Sequence, residues 1–245
     1  MAVAKKDKTE SSAEIKALQA EVNALKAELE KTKKALEDAL KQKETSKPAP
    51  PKQKTMKDGH EYVDLGLPSG LKWAACNIGA DRPEEYGDYF AWAETKTKKE
   101  YTTENSKSYG KDRNDISGSS RYDAARANWG GNWRMPTKGE MEELIKNCTC
   151  TWTTQNGIKG YNVKGLNGNS IFLPAAGFRR VSSLDYAGSY GYYWSSTPYD
   201  FYRGDCNASG LYFDGDNQNT RYYDDRQNMR YYDRSIGLSV RPVVE

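Results

Sequence analysis

Tyr62-Val-Asp-Leu-Gly-Leu-Pro-Ser-Gly-Leu-Lys-Trp73 sets two short runs, 62–65 and 71–74, on either side of a stretch carrying Gly66, Pro68 and Gly70. Four residues rich in aromatic and β-branched side chains are too few for a helix and suffice for a strand, while glycine and proline between them favour a turn. The same grammar recurs outward from this point. Tyr89-Phe-Ala-Trp92, 170–173, Tyr192-Tyr-Trp-Ser195, 211–213 and 239–243 read as further strands. Thr151-Trp-Thr-Thr-Gln-Asn-Gly157 followed by Tyr161-Asn-Val163 reads as a hairpin around an Asn-Gly turn.

Two helical segments interrupt the strands, one near 120–128 and one opened by Thr137 with Glu140 three residues on, a capping box that should bury Met141, Leu144 and Ile145. Short strands mixed with few helices and many irregular connections give an α+β fold. Trp73, Trp92, Trp129, Trp133, Trp152 and Trp194 are expected in its scaffold, because large aromatics are mostly buried.

Upstream the pattern changes. Between Ser11 and about Lys43 the apolar residues follow a heptad, with Ile15, Val22, Leu29 and Leu36 at a, and Leu18, Leu25, Thr32 and Ala39 at d. Ser11 and Glu14 form a capping box that is expected to start this helix. So narrow a seam suits pairing with copies of itself. Glu14, Glu21 and Glu28 at g face Gln19, Lys26 and Lys33 at e, which favours parallel strands. Residues 1–43 are therefore expected to be a coiled-coil oligomerisation stalk, 44–57 a Pro/Lys-rich linker around Lys47-Pro-Ala-Pro-Pro-Lys52, and 58–245 the head.

Charge divides along the same line. Residues 1–57 hold 14 Lys against 9 acidic side chains, so the chain's net charge of +3 conceals a head of −2. Lys interleaved with Glu on a helix is a solvated face, and no nucleic-acid partner is expected. Mean hydropathy is −0.95, and no run approaches the roughly 18 apolar residues of a membrane span, so no membrane insertion is expected. The start, Met1-Ala-Val-Ala-Lys5-Lys6-Asp7-Lys8, lacks an apolar h-region, and synthesis in the cytoplasm without a signal peptide is the expectation.

Catalytic classes are narrowed by scarcity. His60 is the single histidine, which discounts Ser-His-Asp and Cys-His chemistry. Cys76, Cys148, Cys150 and Cys206 include no C-x-x-C pair and read as isolated reduced thiols. Asp214, Asp216 and Asp225 take positions 1, 3 and 12 of a calcium loop, but Asn219 stands where its glycine belongs and Asp225 where a bidentate Glu is usual. No metal, cofactor or catalytic residue is expected. Glycoside hydrolysis needs two carboxylates at a set separation, and the Asp residues cannot be paired from sequence.

Residues 199–234 differ from everything else. Of 36 positions, 27 are Tyr, Asp, Arg, Asn, Gly or Ser, and neither Lys nor Glu occurs. Tyr supplies rigid amphipathic contact area, Asp and Arg add charge-assisted hydrogen bonds, and the small residues adapt, as in an antibody paratope. The expected ligand-binding residues are Asp200, Tyr202, Arg203, Asp205, Tyr212, Asp214, Asp216, Arg221, Tyr222, Tyr223, Asp224, Asp225, Tyr231, Tyr232, Asp233 and Arg234. Tyr222-Tyr-Asp-Asp-Arg226 and Tyr231-Tyr-Asp-Arg234 are the densest parts.

The motif 62–73, together with Tyr86-Gly-Asp-Tyr-Phe-Ala-Trp92, Trp133-Arg-Met-Pro-Thr137, Tyr193-Trp-Ser-Ser-Thr197 and Gly237-Leu-Ser-Val-Arg-Pro-Val243, resembles the Fibrobacter succinogenes major paralogous domain of Bacteroidales. The resemblance covers nearly all of the head and not the stalk. It implies a C-type-lectin-like head preceded by an N-terminal coiled-coil helix. Members with a hypervariable C-terminus are similar to target proteins of diversity-generating retroelements. Adenine-directed mutagenesis of AAC or AAT codons yields Tyr, Asp, Asn, Ser, Gly, Arg, Cys and Phe and never Lys or Glu, the composition of 199–234. Gln218, Gln227 and Met229 would then be fixed positions, as would Leu211 and Phe213.

The resemblance further implies a diversified receptor or adhesin that binds a protein or cell-surface ligand, used on a phage tail or a cell surface, with three strands favoured in the stalk over two. The sugar-binding calcium motifs of animal C-type lectins do not occur. Two other classes stand beside this one: a structural or assembly protein whose head caps its stalk, and an enzyme like the formylglycine-generating enzyme, which needs a cysteine pair where only Cys206 is found.

Overall fold

From Val3 to Thr45 neither glycine nor proline interrupts a run of Ala, Lys, Glu and Leu, and these good helix formers make one helix, α1 (Val3–Thr45). The computed structural model describes residues 3–45, 55–199, 205–215 and 229–245, with the side chains of α1 described over 16–37. The helix does not begin at Ser11: the backbone is already helical from Val3, because nothing in the residues before Ser11 breaks it. Leu18, Val22, Leu25, Leu29 and Leu36 are all exposed along it. The chain divides into two compact units, Met1–Gln53 and Lys54–Glu245. The expected linker 44–57 is thereby shortened, since Thr45 still belongs to α1 and Thr55 already belongs to a strand, while 46–54 lie outside the described residues.

The second unit is α+β, and all its strand ladders are antiparallel among the described residues. Its first sheet joins β1 (Thr55–Lys57), β2 (His60–Asp64) and β3 (Lys72–Ala74) with the last strand of the chain. Two helices follow. α2 (Ala124–Trp129) is capped by Asp123, whose buried carboxylate accepts from the N–H groups of Ala125, Arg126, Gly118 and Met135. α3 (Lys138–Asn147) opens on the expected Thr137–Glu140 capping box and buries Met141 and Leu144, with Ile145 only half-buried. Arg134 grips Glu140 through two N–H donations of 2.8 and 2.6 Å, tying the box to the preceding strand-like segment.

β4 (Thr149–Gln155) and β5 (Ile158–Lys164) form the expected hairpin, because Asn156 and Gly157 both take positive φ, 48° and 84°, as a two-residue turn of this kind demands. β6 (Ser170–Pro174) extends that sheet, and β7 (Phe178–Arg180) pairs with β8 (Ser183–Asp185). The third sheet holds β9 (Tyr190–Tyr199), β10 (Asn207–Asp214) and β11 (Met229–Asp233), with β10 in the middle. β12 (Val243–Val244) returns to β3.

Three expectations need correction. Tyr89-Phe-Ala-Trp92 is no strand; Phe90 makes one bridge to Leu238, since Ala93 turns left-handed at φ 60° and breaks the extension. The closing strand is confined to Val243 and Val244, because the residues before it spend their hydrogen bonds singly on Phe90, Trp194 and Ile78. The first short helix begins at Ala124 rather than near 120, set by the Asp123 cap.

Two apolar clusters fill the unit. One gathers Leu65, Trp73, Met141, Leu144, Tyr161, Leu173, Tyr193, Leu211, Phe213 and Val243, and the other Ile78, Phe90, Trp92, Met135, Trp194, Ala208, Leu238 and Val240. The segment 237–244 thus runs through both. Arg241, fully buried between them, donates to Asn77 Oδ1 and to the carbonyls of Ala74, Ala75 and Phe172, so every arm of its guanidinium is satisfied. Of the six tryptophans four are fully buried and Trp129 and Trp152 half-buried, in keeping with a scaffold role.

Candidate functional site

The segment 199–234 is threaded through the third sheet. The connection 200–206 leaves β9 at Tyr199, which pairs with Asn207, and 215–228 leaves β10 at Asp214, which pairs with Tyr190. These connections therefore spring from opposite ends of β10, an eight-residue strand, roughly 23 Å apart at about 3.3 Å per residue. Asp200, Tyr202, Arg203, Asp216, Arg221, Tyr222, Tyr223, Asp224 and Asp225 lie outside the described residues, as does most of the calcium-loop pattern.

The described members of the expected set fall into three environments. Tyr231 is 58% exposed and stacks on Tyr199, ring centroids 4.1 Å apart at 11°. Asp205 and Asp233 are half-buried at the Tyr199 end of the sheet; the Asp205 carbonyl accepts from Gly110 N–H, and the Asp233 carboxylate caps Ser235 by accepting from its N–H and hydroxyl. Tyr212, Asp214 and Arg234 are buried.

Arg234 is the clearest correction. Only 1% of it is exposed. Its guanidinium lies 4.3 Å over the Trp92 ring and donates to the carbonyls of Asn207 and Lys111, so it holds the start of β10 against the segment around Lys111. A charge so enclosed and bonded to main chain is part of the frame and not of a contact surface.

Alternation along the strands creates a face that composition alone does not reveal. Tyr190 and Tyr192 on β9, Tyr212 on β10 and Tyr232 on β11 form a row of tilted and edge-to-ring contacts with centroids 5.3–6.3 Å apart. Tyr186 and Phe178 continue the row, and Tyr232 also meets Trp194. Arg230, exposed, lays its guanidinium 3.7 Å over Tyr212, whose hydroxyl donates to Asp214 Oδ2. Gly210 lets Tyr232 lie against the sheet, since a Cβ there would stand 3.1 Å from its ring and 2.8 Å from the Tyr193 carbonyl.

The electrostatics of this face favour neutral phenols. Burial pushes Tyr192 up to about 12, and burial raises Tyr232 and Tyr212 further, the latter also through its bond to Asp214. Among the described residues the buried Tyr232 hydroxyl has no hydrogen-bond partner. Tyr190, Tyr192 and Arg230 were not among the expected residues. The signal was present in Tyr190-Gly-Tyr192, where period-two spacing puts both phenols on one side.

Among the described residues no group of three or more His, Cys, Asp or Glu could hold a metal ion. Cys148 and Cys150 are pushed by burial up to about 11 and 12, which leaves them poor nucleophiles at neutral pH. His60 stacks on Trp129 at 3.8 Å and 5°, and burial lowers its pKa. Among the described residues no helix is long and apolar enough to cross a membrane.

The fold and the site define the class as an α+β unit that carries a tyrosine-lined sheet face between two sequence-biased connections. No family model matches the chain, and neither a curated protein nor a solved structure matches it.

Proposed function

We propose that this chain is a non-enzymatic, diversified ligand-binding protein, a receptor or adhesin built on a C-type-lectin-like scaffold and the target of a diversity-generating retroelement. The observation that carries the reading is the contrast within 199–234: a Tyr, Asp, Arg and Asn vocabulary without Lys or Glu, interleaved with strand residues that are buried. Leu211, Phe213 and Met229 belong to the core cluster, while Arg230, next to Met229 on the strand, is exposed over Tyr212, the residue between Leu211 and Phe213. Diversity and scaffold alternate at the spacing of a strand.

In this reading Tyr190 and Tyr192 supply a fixed part of the tyrosine face, while Tyr212, Arg230, Tyr232 and the connections 200–206 and 215–228 supply contacts that change between variants. Aromatic area with charged neighbours is the composition of binding hot spots. The exposed Leu18, Val22, Leu25, Leu29 and Leu36 form the seam of a parallel homo-oligomeric coiled coil, three-stranded in our reading, which multiplies the heads and raises avidity. A protein or cell-surface ligand and use on a phage tail or cell surface complete the proposal.

Two experiments test it. Sequencing the 3′ end of the gene with its flanking DNA in many isolates should find a near-copy of the codons for 199–234 that differs only at adenines; constant codons and no copy would remove the retroelement. Replacing Tyr222, Tyr223 and Tyr231 with Ser in a variant of known ligand should abolish binding at unchanged melting temperature. Loss of folding instead would support a structural role.

A further inference from the structure

Lys111-Asp-Arg-Asn-Asp115 and Arg121-Tyr122 lie outside the sequence-biased segment. They are nevertheless fastened to it. Gly110 N–H donates to the Asp205 carbonyl at 2.9 Å, Arg234 donates to the Lys111 carbonyl at 2.8 Å, and Ile116 N–H donates to the Ser196 carbonyl at 3.1 Å. The Thr197 hydroxyl bonds the Asp115 carboxylate at 2.6 Å. The segment therefore borders the connection 200–206 through bonds that substitution of exposed side chains leaves in place.

On it two guanidinium groups lie over one phenol ring, which also feels the charge of Lys111. The Arg113 guanidinium lies 4.0 Å over the Tyr122 ring and that of Arg121 lies at 5.2 Å. A hydrogen bond from Arg113, with the charges of Arg113, Arg121 and Lys111, holds Tyr122 below the usual tyrosine range. Arg82, Lys98, Arg134 and Arg180 each have a carboxylate within 4.0 Å; among the described residues Lys111, Arg113 and Arg121 have none. The Nε of Arg113 is buried and lacks a hydrogen-bond partner. Lys111 and Arg121 are exposed.

We propose that Lys111, Arg113 and Arg121, gathered round Tyr122 beside the 200–206 connection, form a subsite for the anionic groups of an acidic polysaccharide. A guanidinium seated over an aromatic ring loses less freedom when it takes two oxygens of a carboxylate or sulfate. Exposed Asp112 and Asp115 are interleaved with the cations, in a head whose net charge is negative. The phosphodiester backbone of single-stranded DNA carries no donor and brings these carboxylates only repulsion. The hydroxyls of a polysaccharide donate to Asp112 and Asp115 beside its anionic groups. The subsite rests on the ligand-display reading for its use beside a variable connection, and would give every variant a common affinity for a charged surface.

The full chain and the variants K111Q, R121Q and K111Q/R113Q/R121Q are titrated with a galacturonate hexamer, a heparin-derived hexasaccharide, neutral dextran oligomers and an oligothymidylate, with melting temperature recorded for each. Saturable binding of the galacturonate or the sulfated hexamer is expected, weakened several-fold by R121Q and at least about tenfold by the triple variant, and falling as salt rises. Preference between the two hexamers assigns carboxylate or sulfate as the anion. R121Q alters an exposed side chain, so its result stands even where the triple variant unfolds. Binding of neither hexamer, binding unchanged by R121Q in a folded protein, or tighter binding of the oligothymidylate overturns the subsite. A Tyr231→Ser variant with a known ligand is run in parallel: loss there with no sugar binding sinks the subsite alone, and sugar binding without any effect of Tyr231→Ser sinks the display reading alone.

Discussion

Replacing Arg234 with Ala should unfold the head more readily without touching its surface. Only 1% of this side chain is exposed, and its departure leaves the carbonyls of Asn207 and Lys111 without their 2.9 and 2.8 Å donor. Each hydrogen bond to a charged group is worth about 1.5–3 kcal/mol, and stacking over Trp92 at 4.3 Å adds roughly 1 kcal/mol. Relief of the guanidinium's own burial offsets part of this. A net loss of about 3–4 kcal/mol is expected, and at 2–4 °C per kcal/mol for a domain of this size the melting temperature should fall by about 10 °C. Arg234→Lys, which can reach one carbonyl and cannot stack as a plane, should recover less than half. Circular dichroism melts of the full chain read the effect, with Tyr231→Ser, exposed and three residues away, as a comparison expected to shift by less than about 2 °C. An Arg234→Ala protein that melts with the wild type yet loses its ligand would refute the reasoning and return Arg234 to the contact surface.

Gly191→Ala should be worse tolerated than most core changes, because its Cβ would fall 2.0 Å from the Phe213 ring; poor soluble yield beside a normal Gly139→Ala control is the readout, and a native melt for Gly191→Ala would contradict the packing. Tyr192 titrates near 12 in the folded chain against 10.0 when free, so the folded state holds its proton longer and the stability tied to the neutral phenol is complete below pH 10 and lost as pH rises towards 12. Absorbance at the phenolate band should accordingly lag behind that of free tyrosine and jump on unfolding. Deleting 1–45 should leave a folded head that is monomeric by light scattering; an oligomer surviving the deletion would sink the coiled-coil proposal.

Local chemistry was legible where a short stretch of chain determines its own conformation. Asn156-Gly157 could only turn one way, Thr137 with Glu140 fixed the start of α3, and the paired runs around Gly66–Gly70 gave β2 and β3. The sequence-biased segment was less transparent, because Tyr, Asp and Arg suit a wet surface and their inward-facing members look no different. Arg234, Tyr212 and Asp214 are buried by partners far away in the chain, Trp92, Lys111 and Tyr192 among them. β11 escaped notice for the same reason, since Met229-Arg-Tyr-Tyr-Asp233 shares the vocabulary of its surroundings and is made a strand by its ladder to β10. The platform residues Tyr190 and Tyr192 fell just outside the biased window.

The course of 237–244 through both apolar clusters, with Arg241 locked at its centre, places this part of the core downstream of the whole segment 199–234. A ribosome that stops early, or slips out of frame anywhere in 199–234, makes a chain without Leu238, Val240, Arg241 and Val243 and so without a closed interior. Such products should be degraded rather than displayed. Under the proposed diversification the fold would thereby inspect its own genetic variation: substitutions would pass, while nonsense and frameshift errors would be removed before they reach a ligand.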